Sequence, residues 1–161
     1  MRPKTERTVE ALLKEKKIFE IVNPRLVQAT PEISLASAMA LMKEKKSGYI
    51  VVAENKKAVG IFTETDVVLK ILGRDVDEKR SIVEFMTADP PTLSLQDSVG
   101  RAIDVMGERR FYHIPLVDEK GDLVNVISVR TLIRFLAEFY PTEIYNLPPK
   151  PGQIMLTQEG G

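Results

Sequence analysis

The sequence predicts a mixed α/β (α+β) fold in which two pseudo-symmetric β-α-β-β-α units pack sheet to sheet. The first observation is an internal repeat: when the segment beginning at Ile18 is laid over the one beginning at Ile82, apolar and acidic positions recur at an offset of 64 residues. The second is that each copy shows the same order of periodic patterns. Because a unit of roughly 60 residues buries little apolar surface by itself, we expect the two copies to form one body.

The repeat divides the chain into four parts: a helical extension (residues 1–17), a first unit (18–80), a second unit (81–140) and an extended tail (141–161). Val9, Leu12 and Leu13 fall on one face of a helix that we predict over residues 8–17. The tail contains the sequence YNLPPKPG. Such a proline-rich segment can extend as polyproline II but cannot form a helix or a central strand.

The first unit begins with a strand predicted over residues 26–29. Thr30, Pro31 and Glu32 then indicate a helix start with Thr30 as its N-cap, because proline and an acid are favoured in the first turn. Apolar residues continue at helical spacing as far as Met42. The remaining predicted elements are a β-hairpin and a helix: residues 49–53 and 58–62, then residues 65–72, closed by Gly73.

The second unit repeats this order. A strand is predicted over residues 91–93, and Ser94 with Asp97 forms a capping pair for the next helix, whose buried stripe ends at Met106. The remaining predicted elements are again a β-hairpin and a helix: residues 113–117 and 123–127, then residues 129–139, closed by Pro141.

The composition excludes several classes of function. The chain has no Cys and one His, so it cannot build a Cys/His zinc site, a disulfide framework or a thiol nucleophile, and a Ser-His-Asp triad would need His113. Lys+Arg and Asp+Glu number 23 each, which argues against a dedicated nucleic-acid binder. We predict no enzyme activity, no catalytic cofactor and no metal site. No apolar run reaches the roughly 18 residues of a membrane span and no signal-peptide core is present, so we expect a cytoplasmic protein.

The segment GIFTETD at residues 60–66 joins the last strand of the first unit to its last helix. With the element order and the duplication, it resembles a pair of cystathionine β-synthase-type (CBS) domains, the regulatory unit called a Bateman module, over residues 18–139. In the second copy, Asn125 stands in place of the motif's Gly and Thr131 in place of its Asp. Two further segments support the resemblance: MTADPPTLSL at residues 86–95 and YHIPLVDE at residues 112–119.

The chemistry of this motif suits a nucleotide. Thr63 and Asp66 lie where a predicted strand becomes a helix, so unpaired backbone N–H groups and the positive end of the helix dipole are available to an anion. The hydroxyl of Thr63 or Thr65 can donate to phosphate oxygens, and the Asp66 carboxylate can accept both ribose hydroxyls. The alternative is a capping box, in which Thr63 and Asp66 stabilise the helix start by about 1 kcal/mol without a ligand.

The resemblance implies a regulatory module that binds an adenine nucleotide (AMP, ADP or ATP) or a related adenosyl ligand in the cleft between the copies. It also places His113 near the phosphate, which a protonated imidazole binds best; the alternative is a half-buried strand residue bonded to a carbonyl. For Tyr112 the alternative to base stacking is simple packing. The residues implied to face Thr63 and Asp66 are Pro91, Thr92, Tyr112, His113 and Ile114.

A second cleft is implied at the equivalent place, with Thr131 in the position of the carboxylate. Thr131 can bond a ribose hydroxyl, and Arg130 can contact phosphate as a charged fork or remain an ordinary solvated residue. We expect weaker binding, a different ligand or no ligand at this cleft. The residues assigned to it are Val27, Gln28, Gly48, Tyr49, Ile50, Ser128, Arg130 and Thr131.

The predicted partners are a small adenosyl ligand, a second copy of the chain and a regulated protein that the sequence does not identify. The alternative function is an interaction scaffold that binds no ligand and docks a partner through its helices or its tail. Helix residues that would form an apolar docking and dimerisation face are Val67, Val68, Ile71, Leu132, Ile133, Leu136 and Phe139.

Overall fold

Two β-sheets form the centre of the structure, a computed structural model that describes residues 4–139. One sheet has four strands in the order β1-β2-β3-β4 and the other has three in the order β5-β6-β7. Helices pack beside both sheets, so the predicted mixed fold with two sheet-containing units is confirmed. The predicted tail over residues 141–161 lies outside the described residues.

The first sheet contains β1 (Gln28–Ala29), β2 (Tyr49–Glu54), β3 (Lys57–Thr63) and β4 (Thr87–Ala88). Strands β2 and β3 form the predicted hairpin, while β1 runs parallel to β2 and is shorter than predicted. Strand β4 was not predicted. It pairs antiparallel with β3, so a segment from the second half of the repeat completes the sheet of the first.

The second sheet contains β5 (Leu93–Ser94), β6 (His113–Val117) and β7 (Leu123–Ser128). Strand β5 runs parallel to β6, and β6 pairs antiparallel with β7. The hairpin prediction is confirmed here too. In the parallel pair Leu93 lies opposite Leu116, near the end of β6 that is remote from His113.

Four regular helices flank the sheets: α1 (Lys4–Glu15), α2 (Leu35–Lys45), α4 (Val99–Arg109) and α5 (Val129–Phe139). The first begins four residues earlier than predicted. Helix α1 packs on α4, where a Cβ added to Gly100 would lie 3.2 Å from the carbonyl oxygen of Leu13. The absence of a side chain at Gly100 therefore permits the close approach of the two helices.

The predicted N-cap at Thr30 is wrong. Ser34 caps α2 instead, with its Oγ accepting the Ser37 N–H at 3.2 Å. The next amide, that of Leu35, donates to the carbonyl of Arg80 at 2.8 Å. A distant segment therefore bonds the first turn of the helix, and this tertiary contact moves the helix start beyond the position that local capping preferences indicate.

In the second unit, too, the first helix begins later than the sequence predicts. The backbone N–H of Ser94 donates to Asp97 Oδ2 at 2.7 Å, so the predicted pair forms, but it closes a turn before the helix and not the helix itself. Ser98 is the N-cap of α4, and the Val99 N–H donates to the carbonyl of Lys16 at 2.8 Å.

The helix predicted over residues 65–72 is irregular. It begins as a single α-turn, α3 (Glu64–Asp66), and continues as a π-helical turn over Val67–Ile71. A π turn inside a helix is rare and is found mostly near functional sites. Gly73 follows with a φ of 72°, the left-handed conformation that favours glycine after a helix end.

The short helical turns at the beginning of each unit, Ile18–Glu20 and Ile82–Glu84, are exchanged between the two hydrophobic cores. Ile18 is fully buried in the core of the second unit, where its N–H donates to the carbonyl of Asp97 at 2.9 Å. Ile82 is fully buried in the core of the first, and its N–H donates to the carbonyl of Ile33 at 3.0 Å. This exchange ties the two units together at their leading segments.

Direct contacts also join the two sheets. The Leu123 N–H donates to the carbonyl of Lys56 at 2.7 Å, and Lys57 Nζ lies 2.7 Å from Asp122 Oδ1. The rings of Tyr49 and His113 are 5.1 Å apart between centroids. The ring contact places the start of β2 beside the start of β6, and the candidate cavities lie on either side of this point.

Candidate functional site

Two cavities lie at the seam between the units. Cavity A, of about 280 Å³, lies between the Thr63–Asp66 segment and the residues that lead from α4 into β6. Cavity B, of about 190 Å³, lies between the start of α5 and the residues that lead from α2 into β2. Gly48 and His113 line both cavities and so form part of the wall between them.

Five of the predicted residues come together at cavity A: Thr63, Thr65, Asp66, Tyr112 and His113. Sequence reasoning missed the other lining residues, which come mostly from the two loops and from β3 and β4. They are Gly48, Ile61, Glu64, Thr87, Arg109, Arg110 and Phe111.

Pro91, Thr92 and Ile114, which were assigned to this site, do not line cavity A. Pro91 and Thr92 lead into β5, which pairs with the far end of β6. Ile114 is fully buried in the core of the second unit. Thr87 takes the place expected for the leading strand, because β4 pairs with β3 beside Ile61.

The Asp66 carboxylate is held in place without a ligand. Its Oδ2 accepts the Thr63 N–H at 2.8 Å and the Thr63 hydroxyl at 3.1 Å, and its Oδ1 lies 2.6 Å from Lys70 Nζ. Asp66 is only 7% exposed. The capping alternative is therefore realised, and these three donors leave about one of the carboxylate's four acceptor positions for a further donor such as a ribose hydroxyl. Capping and ligand binding are compatible at this residue.

Charges of both signs surround cavity A. Glu64 and Asp66 belong to the first unit, whereas Arg109 and Arg110 belong to the second. Burial lowers the pKa of His113 below its ordinary value, and the nearby Glu64 carboxylate opposes this shift. His113 is therefore predominantly neutral at pH 7, so the arginines are the principal cations available to a phosphate in this cavity.

Five predicted residues also come together at cavity B: Gly48, Tyr49, Ser128, Arg130 and Thr131. The other three predicted residues do not line it. Val27 and Ile50 are buried in the core of the first unit, and Gln28 lies in β1 beside Val51. Residues that sequence reasoning missed are Asn23, Arg25, Lys46, Ser47, His113, Val126 and Arg134.

The repeat itself contained a signal for several missed residues. At the offset of 64, Asn23 corresponds to Thr87 and Lys46 to Arg110, and each pair occupies equivalent places in the two cavities. Lys46 and Arg110 also share a left-handed backbone, with φ of 49° and 55°, where each ends a helix. Applying the repeat to the loops as well as to the motifs would have found these positions.

No His/Cys/Asp/Glu group able to hold a metal ion is found among residues 4–139. In the same part of the chain, none of the helices has the length and apolar character needed to cross a membrane.

The CBS domain family profile matches residues 18–73 and 82–138. The chain therefore belongs to the CBS-domain family, and the two tandem matches define a CBS domain pair, or Bateman module. An uncharacterised 17.7 kDa protein of Acidianus ambivalens is 30% identical over 125 residues, which are 77% of this chain and 75% of that protein. The CBS domain-containing protein CBSCBSPB5 of Arabidopsis thaliana is 30% identical over 99 residues, 61% of this chain but only 18% of that longer protein.

Solved structures share the fold. The CBS domain protein PAE2072 of Pyrobaculum aerophilum, complexed with AMP, matches with a TM-score of 0.69 and 21% identity over 78% of this chain and 98% of that chain. The CBS domain pair of MJ0100, in complex with 5′-methylthioadenosine and S-adenosyl-L-methionine, matches with a TM-score of 0.69 and 19% identity over 77% of this chain and 98% of that chain.

Proposed function

We propose that the chain is a regulatory ligand-sensing module that binds an adenine nucleotide (AMP, ADP or ATP) or a related adenosyl ligand in cavity A. The observation that carries this proposal is Asp66, a buried, pre-positioned carboxylate that faces Arg109 and Arg110 across the seam. AMP in PAE2072, and 5′-methylthioadenosine and S-adenosyl-L-methionine in the MJ0100 pair, are adenosyl ligands of the same class.

Each part of such a ligand has a partner in this proposal. One ribose hydroxyl donates to Asp66, and the phosphate accepts from Arg109, Arg110 and the hydroxyl of Thr65. The helical segment that begins at Glu64 is short and irregular, one α-turn followed by the π-helical turn Val67–Ile71, so its dipole is weaker than that of a regular helix such as α5. Phosphate binding therefore depends on the arginines more than the sequence suggested.

The regulatory step follows from the position of the cavity. Its lining comes from both units, so a ligand that contacts both stabilises one relative arrangement of the units over others. A partner that binds the two arrangements with different affinity would then respond to the ligand. This role requires no bond breaking, and we propose no catalytic cofactor.

The direct test is thermal unfolding of nucleotide-stripped protein with AMP, ADP, ATP, 5′-methylthioadenosine or S-adenosyl-L-methionine. A ligand at a hundredfold excess over its dissociation constant should add about 2.7 kcal/mol to the free energy of unfolding. Asp66→Ala should abolish the shift that 5′-methylthioadenosine, which has no phosphate, produces, and Thr131→Ala is the matched control. Asp66→Asn keeps an acceptor and separates loss of binding from loss of the cap. No stabilisation by any of these ligands at millimolar concentration would overturn the proposal.

A second candidate function, self-association as an interaction scaffold, is supported by exposed apolar side chains. Val68, Leu69, Leu72 and Ile133 are 58%, 62%, 70% and 58% exposed. Sedimentation should then show a dimer that Leu69→Glu dissociates, whereas a wild-type monomer would contradict this candidate. Two residues predicted for this face do not belong to it, because Ile71 and Leu132 are buried in the cores.

A further inference from the structure

The lining of cavity B is strongly basic. Arg25, Lys46, Arg130 and Arg134 line it, and no Asp or Glu does. Among the side chains that the structure describes, none of the four cations forms an ion pair, although Arg134 also lines a neighbouring cavity with Glu20 and Glu138. The chain as a whole balances 23 basic against 23 acidic residues. Four cations around a cavity with no acidic residue in its lining therefore create a local field that attracts anions.

Hydrogen-bond donors suited to phosphate accompany this charge. Arg25 Nη2 donates to the carbonyls of Lys45 and Lys46 at 2.6 and 2.8 Å. These bonds hold the guanidinium in place, and its other N–H groups take no part in them. Ser128 and Thr131 add hydroxyl groups from the start of α5, which has 11 residues. The positive end of a helix of this length adds to the attraction of an anion.

Cavity B lacks the group that would recognise a nucleoside in cavity A. Thr131 occupies the position equivalent to Asp66, and its hydroxyl lies 3.2 Å from the hydroxyl of Ser128. A hydroxyl can donate to a phosphate oxygen, whereas a carboxylate would repel it. The replacement therefore removes a ribose acceptor and favours a highly charged anion.

We propose that cavity B binds a polyphosphate anion, either the triphosphate of a nucleotide or an inorganic polyphosphate, through its charge and independently of any nucleoside. A single phosphate carries roughly −1.5 to −2 charges at neutral pH, and a polyphosphate chain carries more, so affinity should rise with the number of phosphates. This inference goes beyond the proposed function of cavity A, which depends on recognition of the ribose.

Two matched variants isolate the charge of each cavity. Lys46 and Arg110 occupy equivalent positions, both with a left-handed backbone that glycine adopts without strain. Lys46→Gly and Arg110→Gly therefore each remove one cation while leaving the local backbone conformation favourable. The first removes a cation from cavity B and the second removes one from cavity A.

The experiment is calorimetric titration of inorganic tripolyphosphate into wild-type protein and both variants, in magnesium-free buffer. Lys46→Gly should weaken binding about tenfold, the equivalent of one charge-assisted contact, and Arg110→Gly less than about twofold. ATP should compete with tripolyphosphate, which would identify a nucleotide triphosphate as an accepted source, and 5′-methylthioadenosine should not compete. Added salt should weaken binding by screening.

Three results would overturn the proposal: no binding of tripolyphosphate, equal weakening by the two variants, or displacement by 5′-methylthioadenosine. Amide chemical shifts give an independent readout, because tripolyphosphate should move the signals of Arg130 and Thr131 and not that of Thr65. Cavity A is tested with an uncharged adenosyl compound and Asp66→Ala, so the proposed function and this inference can fail separately.

Discussion

Cavities A and B occupy equivalent places in the two halves of the repeat, yet their charges differ. Cavity A combines Glu64 and Asp66 with arginines, whereas cavity B has four cations and no carboxylate. Val129 and Thr131 stand at the positions equivalent to those two acids, and Arg130 replaces Thr65. The duplicated fold thus provides two equivalent cavities, and side chains from the start of one helix and from the neighbouring loops give them different charges.

The largest expected effect is on the stability of the first unit, when Gly60 at the beginning of the GIFTETD segment is replaced. A Cβ at Gly60 would overlap the Sδ and Cε atoms of Met86 and lie 2.9 Å from its Cγ, so Gly60→Ala forces the flexible Met86 side chain to repack and should lower the free energy of unfolding by about 1.5 kcal/mol. Denaturant unfolding measures this change. In a Met86→Ala background the same substitution should cost much less; an equal cost in both backgrounds would contradict the packing explanation.

In the second unit, Asn125 occupies the position equivalent to Gly60. Asn125 Nδ2 donates to the carbonyl of Asn23 at 2.9 Å, and its Oδ1 accepts the Val126 N–H at 2.9 Å. The departure from the motif's glycine therefore has a local structural reason, since an amide fills the space and satisfies backbone groups next to cavity B.

An intermediate effect is expected when the chemistry of cavity A is introduced into cavity B. Thr131→Asp should weaken tripolyphosphate binding about tenfold, because the new carboxylate repels the anion, while an acid in the first turn of α5 is compatible with folding. Thr131→Asn is the uncharged control. Titration of both variants measures the effect, and equal affinities for tripolyphosphate would show that charge at residue 131 does not distinguish the cavities.

The smallest effect concerns His113, which lines both cavities. Burial lowers its pKa in the folded chain below 6.5, so the unfolded chain binds the proton more readily. The stability contributed by neutral His113 is present above pH 6.5 and is lost as the pH falls through the folded-state pKa. The free energy of unfolding of the wild type should therefore drop more than that of His113→Gln between pH 7.5 and 5.5. Parallel curves would contradict this assignment.

Much of the fold could be predicted from the sequence, because apolar periodicity and the repeat report directly on strands and helices. Both hairpins and the repeat were found in this way. The helix starts were not, because Ser34 and Ser98 begin their helices where distant carbonyls, those of Arg80 and Lys16, bond the next amides. Such tertiary contacts leave no local pattern in the sequence from which the helix start could be predicted.

The candidate sites could be predicted only in part. Asp66, Thr63 and His113 were found because a motif and a hairpin identify them. Pro91 and Thr92 were misplaced because the register of β5 on β6 cannot be read from a short apolar run. The basic character of cavity B was missed because its cations come from separate loops and helices that only the folded chain brings together.

The central claim is that the two cavities select different ligands, with a nucleoside recognised at Asp66 alone. The most direct test is the calorimetric stoichiometry of 5′-methylthioadenosine, an uncharged adenosyl ligand. We predict one site per chain in the wild type, one in Thr131→Ala and none in Asp66→Ala. Two sites in the wild type, or binding that persists in Asp66→Ala, would contradict the claim.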